Sequence, residues 1–153
     1  MNTSALKTFA QETRKKLVSS IKTRMNYILT EDTAELRGKQ NEINTLRKEI
    51  ADKGEKNVVE EVTYTWFNRV MALRFMDANG YNVPMVITPA AGQIRPEILQ
   101  EAMGGNIDEN LGIPLDILRK DEEEIYHDLL IAICNQYNNP MPFLFESISD
   151  YTE

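Results

Sequence analysis

Residues Tyr64–Tyr81 of this 153-residue chain read YTWFNRVMALRFMDANGY, a long apolar segment of helical character. Its large apolar side chains do not form one clean helical stripe: they are Trp66, Phe67, Val70, Met71, Leu73, Phe75 and Met76. A helix with so little polar surface has to be covered by neighbours on several sides. Gly80 after Asn79 is a strong helix stop. The sequence therefore predicts a central apolar helix over about 56–79.

Two arginines lie within this apolar helix. Arg69 and Arg74 are five residues apart, which separates them by about 140° around the helix axis. A buried guanidinium group needs a carboxylate or carbonyl partner. We expect at least one arginine to pair with an acid such as Asp77 or Glu61, or with carbonyls of residues 81–95. Contact of Arg74 with a phosphate is the functional alternative.

Upstream of this stretch, the sequence predicts a long first helix that Ser4 caps. Its apolar stripe recurs at three- and four-residue spacing, through Leu6, Phe9, Thr13, Leu17, Ile21, Met25 and Ile28. Thr33 then opens a second helix over 34–53, which ends at Gly54. Its thin apolar seam suits a hairpin partner within the chain or an oligomer contact, and consists of Leu36, Ile43, Leu46 and Ile50.

Downstream of Gly80 the pattern changes to short and extended. Proline restricts the residues around it, so we expect at most one short extended segment near 82–88, with Val86 and Ile87 as its strand. Pro96 at the first helical position starts a short helix, and Asp121 caps a last long helix that ends at Asn138–Pro140. The predicted fold is a mainly α, irregular helical bundle, and the length of the chain fits a single domain over residues 1–153.

Charge is distributed unevenly along the chain, whose net charge is −7. Residues 1–30 carry six bases against one acid, whereas residues 97–153 carry two bases against thirteen acids. The acidic half would repel a nucleic-acid backbone, and only the first helix would attract one. An ordinary solvated basic face is the alternative. The candidate DNA contacts are Lys15, Lys16, Lys22 and Arg24, with Arg74 added from the central helix.

Residues that carry catalytic or metal chemistry are sparse. The single cysteine, Cys134, excludes an internal disulfide and a multi-cysteine zinc site. His127 is the only histidine, and no nucleotide-binding glycine loop is present. The acids of residues 121–124 suit a helix start better than a metal site. We therefore predict no catalytic, cofactor-binding or metal-binding residue in this chain.

The sequence also indicates whether the chain enters a membrane and which cellular compartment it occupies. No apolar run reaches the ~18 residues of a membrane span, and the basic N-terminus does not have the pattern of a secretory signal. A single cysteine in an apolar stretch fits the reducing cytoplasm. We therefore expect a cytoplasmic protein with no membrane contact.

One loop approaches a catalytic motif. Methyltransferases that act on adenine use an Asn/Asp-Pro-Pro-aromatic loop at a strand end to hold the target amine of a flipped base. Residues 139–143 read NPMPF, which has these ingredients with one extra residue, but they follow a helix. We interpret the segment as a helix stop.

Four segments resemble a known family. They are ALKTFAQETRKKL (5–17), TAELRGK (33–39), YTWFNRVMALRFMDANGY (64–81) and FESISDYTE (145–153). They resemble the N-terminus of the PglX family, the adenine-specific DNA methyltransferases of bacterial BREX phage defence. These proteins are much longer than this chain, and the resemblance therefore implies an N-terminal domain of such an enzyme.

The resemblance implies that the parent enzyme transfers a methyl group from S-adenosylmethionine to adenine in duplex DNA. The family's glycine motif and Asn-Pro-Pro-Tyr loop lie downstream of the resembling part, so no catalytic residue carries over to this chain. In related type I restriction-modification subunits, an N-terminal helical domain helps hold DNA or neighbouring subunits. The implied partners are the remainder of the methyltransferase, duplex DNA and other BREX components.

Three hypotheses of function follow. The first is a helical accessory domain of the methyltransferase that assists DNA clamping or partner docking. The second is a stand-alone interaction module that dimerises through residues 34–53. The third is a DNA-binding module in its own right, which the net negative charge opposes.

Overall fold

The computed structural model describes residues 3–148 and residue 151, without the side chains of Thr3 and Leu6. In this part of the chain the regular structure is entirely helical. The α-helices are α1 (Thr3–Thr30), α2 (Ala34–Gly38), α3 (Gln40–Lys53), α4 (Glu55–Ala78), α5 (Glu97–Met103) and α6 (Glu122–Asn138). Two short 3-10 helices span Glu109–Leu111 and Leu115–Arg119. The prediction of a mainly α fold is confirmed. Of the closing segment 145–153, residues 149, 150, 152 and 153 lie outside the described residues.

The chain divides into two compact units. The first unit comprises residues 1–67 and 149–153, and the second unit comprises residues 68–148. The boundary falls inside α4, which begins in the first unit and ends in the second. The prediction that residues 1–153 are a single N-terminal domain of a longer methyltransferase stays a prediction.

The core of the first unit is built from α1, α3 and the start of α4. Its buried centre consists of Met25, Leu46, Val58 and Val59, and the partly buried residues packed on it are Val18, Ile21, Ile28, Leu29, Ile50 and Tyr151. The C-terminal part of the predicted stripe of α1 therefore packs on this core, through Ile21, Met25 and Ile28. The prediction is wrong for Phe9, which is 52% exposed. The seam of residues 34–53 also turns inward, because Leu36, Ile43 and Leu46 are all buried.

Two predicted helix starts and the continuity of one predicted helix are wrong. Ser4 lies inside α1, which begins at Thr3, and its carbonyl accepts a bond from the Thr8 hydroxyl at 3.1 Å. The predicted helix over 34–53 is broken at Lys39 into α2 and α3, directly after Gly38, a residue with low helix propensity. Pro96 precedes α5 with an extended ψ of 141° and is not its first helical residue.

The predicted central helix is confirmed as α4. It ends in a Schellman motif, in which the Gly80 N–H donates to the Asp77 carbonyl (3.1 Å) and the Tyr81 N–H to the Met76 carbonyl (2.9 Å). Gly80 has a φ of +69°, which a side chain with a Cβ tolerates poorly. The chain thus turns back sharply after α4, which brings residues 82–88 beside its last turn.

The predicted strand at Val86–Ile87 is wrong. Among residues 3–148 the only β-type pairing is an isolated bridge between Pro89 and Pro96. The segment contains bends at residues 82–84 and 86–88, and the N–H groups of Val86 and Ile87 donate to a side chain of α4 and not to a neighbouring strand. The last helix agrees with the sequence, since the Asp121 carboxylate caps α6 by accepting from the Glu124 N–H at 2.9 Å.

Candidate functional site

The most densely bonded side chain in the second unit is Asp77, near the end of α4. One of its oxygens, Oδ1, accepts from the Asn82 side-chain amide at 2.6 Å and from the Val86 N–H at 2.9 Å. The other, Oδ2, accepts from the N–H groups of Ile87 (2.8 Å) and Thr88 (2.9 Å), and from the Thr88 hydroxyl (2.9 Å). We call this arrangement the Asp77 anchor, because it fixes the returning segment to α4.

The charge of Asp77 is stabilised where it lies. Burial raises the pKa of its carboxyl group, but the bonds from Asn82, Val86, Ile87 and Thr88 together outweigh burial and lower that pKa below its usual value. The carboxylate is 5% exposed. The donors around this enclosed group stabilise its ionised form, so Asp77 is a carboxylate and accepts all five hydrogen bonds at neutral pH.

Two tyrosines of α6 extend the anchor into a polar network. The Tyr137 hydroxyl donates to the Asn82 carbonyl oxygen Oδ1 at 2.5 Å, and the Tyr126 hydroxyl donates to the Val86 carbonyl at 3.0 Å. Burial is the main reason that the pKa of Tyr126 rises to about 12, with the nearby Asp77 charge adding to it. Burial and the Asp77 charge also raise the pKa of Tyr137. Both hydroxyls therefore remain protonated donors.

The two arginines of α4 have different surroundings. Arg69 is buried, as predicted, and donates to the Glu146 carbonyl at 2.9 Å. This carbonyl partner lies in the segment that follows α6, not within residues 81–95. Arg74 is exposed and donates to the Thr88 hydroxyl. Asp77, which the sequence suggested as an arginine partner, is taken up by the backbone N–H groups of the anchor.

A cleft of about 620 Å³ opens beside the anchor in the second unit. Its apolar lining includes buried residues of three segments, namely Val86 of the returning segment, Ile98 of α5, and Leu129 and Ile133 of α6. Its polar lining comprises the amides of Asn82, Asn106 and Gln136 and the carboxylates of Glu97, Glu101 and Asp108. Tyr81 and Val83 also line it, and both are largely exposed. We call this feature the acidic cleft.

The carboxylates of the acidic cleft are held by local contacts. Glu97 accepts from the Met85 N–H at 2.7 Å, and Glu101 accepts from the Asn106 side-chain amide at 2.9 Å. Asp108 accepts from the Asn110 N–H at 2.9 Å. Each carboxylate accepts these bonds while keeping further lone pairs for a ligand. Sequence reasoning missed this site because its lining comes from separate segments, and only the clustering of acids after residue 97 hinted at it.

The predicted DNA-contact residues do not form one surface. Lys15 and Lys22 are seven residues apart on α1 and therefore lie within about 20° of each other, with Lys16 about 100° away from Lys15. Arg24 lies about 180° from Lys15, where its guanidinium is 3.3 Å from Glu35 and 5.4 Å from the centre of the Tyr27 ring. Arg74 belongs to the second unit. The role of these five residues in DNA contact stays a prediction.

Other chemical features of the described residues are few. Within residues 3–148 and 151, no group of three or more His, Cys, Asp or Glu side chains is arranged to hold a metal ion. Burial raises the pKa of the Cys134 thiol to about 11, although the nearby Arg69 opposes this rise. No helix in this part of the chain is long and apolar enough to cross a membrane.

Comparison with known proteins gives two informative matches. The chain is 30% identical over 116 residues to the adenine-specific methyltransferase BrxX of Escherichia coli O9:H4 (strain HS), which covers 71% of this chain and 10% of that protein. It is 27% identical to the adenine-specific methyltransferase PglX of Lacticaseibacillus casei (strain Zhang) over an alignment of 195 positions. This alignment covers 100% of this chain and 16% of that protein. No protein-family model and no solved structure matches the chain.

The chain is therefore a mainly α-helical relative of adenine-specific methyltransferases. More specifically, the chain is distantly related to the PglX family of BREX methyltransferases, the family that its sequence resembles. The chain spans only 10% and 16% of the lengths of the two relatives.

Proposed function

We propose that this chain is a helical accessory domain of a BREX-type adenine-specific DNA methyltransferase, and that it is not catalytic alone. The observation that carries the proposal is the match of the entire chain to 16% of a PglX protein. The chain has neither the glycine motif nor the Asn-Pro-Pro-Tyr loop that the resemblance places further downstream in such enzymes.

In the proposal, S-adenosylmethionine, the cofactor of the parent enzyme, binds outside this chain. In open α/β folds, ligands of this kind bind outside the carboxyl ends of parallel strands. The residues described here form no strand that offers such an edge. The NPMPF loop at 139–143 follows α6 and turns back to it, with the Asn138 side-chain amide donating to the Phe145 carbonyl at 2.7 Å. In the proposal, cofactor and catalytic residues belong to the remainder of the enzyme.

The accessory role is divided between two tasks, DNA contact and partner docking. Lys15, Lys16 and Lys22 are exposed on α1, and no ion pair joins them to another described residue. They are the side chains best suited to contact phosphates. The second unit has five bases against twelve acids, and it suits a protein surface of opposite charge, in the remainder of the enzyme or in another BREX component.

Dimerisation through residues 34–53 is the alternative function. The burial of Leu36, Ile43 and Leu46 within the chain weighs against it, since a seam already covered cannot face a second copy. A chain that dimerises only through this seam would have to open the core of the first unit. We therefore propose no dimer through α2 and α3.

DNA contact is tested by fluorescence anisotropy with a labelled DNA duplex. If three lysines each neutralise one phosphate, the affinity falls by roughly 40-fold between 50 and 200 mM salt, from a log–log slope of about −0.9 per phosphate. The double variant Lys15→Glu/Lys22→Glu should bind at least ~10-fold more weakly at 50 mM salt. The matched control is the double variant Lys48→Glu/Lys56→Glu, which reverses two exposed lysines of α3 and α4. Equal effects of both variants would refute contact through α1.

The non-catalytic part of the proposal is tested separately. Isothermal titration calorimetry of the chain with S-adenosylmethionine should give no heat of binding, and a saturable isotherm would contradict it. Parentage is tested by the reading frame beyond codon 153. We expect it to encode the glycine motif and the Asn-Pro-Pro-Tyr loop, and a stop codon there in the intact gene would contradict the accessory role.

A further inference from the structure

The acidic cleft combines an apolar interior with charges of one sign. Its floor is lined by Val86, Ile98, Leu129 and Ile133, which belong to the core of the second unit. A volume of about 620 Å³ lies within the roughly 300–1,000 Å³ of ligand sites. These four side chains are only 1–8% exposed, so the apolar surface open to an occupant lies mainly at the edge of the cleft. Covering that surface favours an occupant with apolar groups of its own.

The electrostatic character of the cleft is uniformly negative. Glu97, Glu101 and Asp108 line it, and no lysine or arginine is among its described lining residues. Two of the five bases of the second unit are held in ion pairs with acids that do not line the cleft. Arg95 lies 2.6 Å from Glu122, and Lys120 lies 2.6 Å from Asp128. The cleft therefore keeps an excess of negative charge, which attracts a cation and repels phosphate.

The exposed apolar surface continues from the cleft onto α4. Tyr81 and Val83 line the cleft with 66% and 91% of their surface exposed. The ring of Phe75, itself 63% exposed, lies 6.4 Å from the Tyr81 ring. Aromatic faces bind guanidinium and ammonium groups as well as apolar side chains. The cleft and this edge together form a binding surface longer than a small molecule requires.

We propose that the acidic cleft binds a basic, amphipathic segment of a partner protein. Arginine or lysine side chains of this segment pair with Glu101 and Asp108, and its apolar side chains cover the exposed side chains of Tyr81 and Val83 at the edge of the cleft. A nucleic acid is disfavoured by the charge of the cleft, and a polyamine would leave the apolar side chains of Tyr81 and Val83 exposed to water. The inference rests on the cleft alone, so its failure would leave the relation to methyltransferases untouched.

The experiment uses the whole chain and a defined probe. The peptide acetyl-LRLLRL-amide is titrated into ¹⁵N-labelled protein, and amide shifts are followed by NMR. Shifts should cluster at residues that line the acidic cleft. The same peptide with both arginines replaced by citrulline, which is uncharged and of similar shape, should bind more weakly by about fivefold or more, because it loses both charge-assisted contacts to the cleft.

Two double variants distinguish binding in the cleft from general attraction by negative charge. Glu101→Gln/Asp108→Asn removes two charges from the cleft, and both residues are exposed and keep an oxygen for their local bonds. This pair should weaken peptide binding about fivefold or more. Asp116→Asn/Glu123→Gln removes two exposed charges of the second unit that do not line the cleft, and should change it less than twofold.

Three outcomes would overturn the proposal. The first is no amide shift at cleft residues with millimolar peptide. The second is equal affinity for the arginine and citrulline peptides. The third is an equal loss of peptide affinity in the two double variants. The comparison of peptides needs no variant, so it decides the matter even if a substitution disturbs folding.

Discussion

Replacement of Asp77 by asparagine tests the Asp77 anchor most directly. The substitution keeps the shape of the side chain, but it exchanges one accepting oxygen for an NH₂ group that only donates. Of the five bonds to the carboxylate, two end on Oδ1 and three on Oδ2. Whichever way the amide is turned, at least two donors then face another donor.

The expected loss of stability follows from this count. A buried donor that loses its acceptor costs about 1–3 kcal/mol. Two such donors give a loss of about 2–6 kcal/mol, against a total of about 5–15 kcal/mol for a typical domain. With a slope of roughly 2 kcal/mol per molar urea, the midpoint of unfolding should fall by about 1–3 M. Asp116→Asn makes the same chemical change at an exposed position and should shift stability by less than about 0.5 kcal/mol.

Two assays are needed because the chain has two units. Circular dichroism in urea reports the overall midpoint, and hydrogen exchange at the N–H groups of Val86, Ile87 and Thr88 reports the anchor itself. These three amides should exchange faster in Asp77→Asn, by a factor that matches the loss in stability. A variant with the stability of Asp116→Asn and unchanged exchange at these amides would refute the reasoning.

The pH dependence supplies an internal check. Because the folded state lowers the pKa of Asp77, its contribution to stability is present above the ordinary aspartate pKa of about 3.9 and is lost as pH falls through the folded value. The stability difference between the native protein and Asp77→Asn should therefore be full at pH 6–7 and shrink below about pH 4. A difference that stays constant down to pH 2 would contradict the assigned charge state.

Three further predictions concern other parts of the structure. Cys134 should resist a thiol-specific disulfide reagent at pH 8 and react fully in guanidinium, since burial raises its pKa to about 11; rapid reaction in the native protein would contradict this. Leu46→Ala should destabilise the first unit by about 2–5 kcal/mol, because it enlarges an existing pocket of about 80 Å³. Unfolding in urea measures this loss, and a loss well below about 2 kcal/mol would contradict the prediction. Tyr151→Phe should cost about 1 kcal/mol through the lost bond to Glu61 (3.0 Å), which unfolding at pH 7 measures; no change would mean that water replaces the bond.

The helices were predictable from sequence because their signals are local. Thr33 and Asp121 cap helices through bonds to N–H groups three residues ahead, and Gly54 and Gly80 end helices with positive φ angles. The mainly α fold follows from these signals and from the apolar periodicity. The break at Lys39 was missed, since a single low-propensity glycine weakens a helix by only about 1 kcal/mol and does not by itself predict an interruption.

The candidate site was not predictable to the same degree. A carboxylate near a helix end has many possible partners, and the sequence favoured an arginine for Asp77. The backbone N–H groups that bind it instead carry no sequence signal, because every residue except proline has one. The acidic cleft likewise depends on how α5, α6 and the returning segment pack, which charge clustering suggests only as a tendency.

The Asp77 anchor has a consequence for sequence drift. Three of its five bonds come from main-chain N–H groups, which remain when the side chains at 86, 87 and 88 are replaced by anything but proline. The course of this segment therefore depends on one acid far more than on the residues that it holds. We therefore expect this segment to tolerate substitution while keeping its path, provided that the acid at 77 stays. In an alignment of homologues, the informative column would be the one at the end of α4.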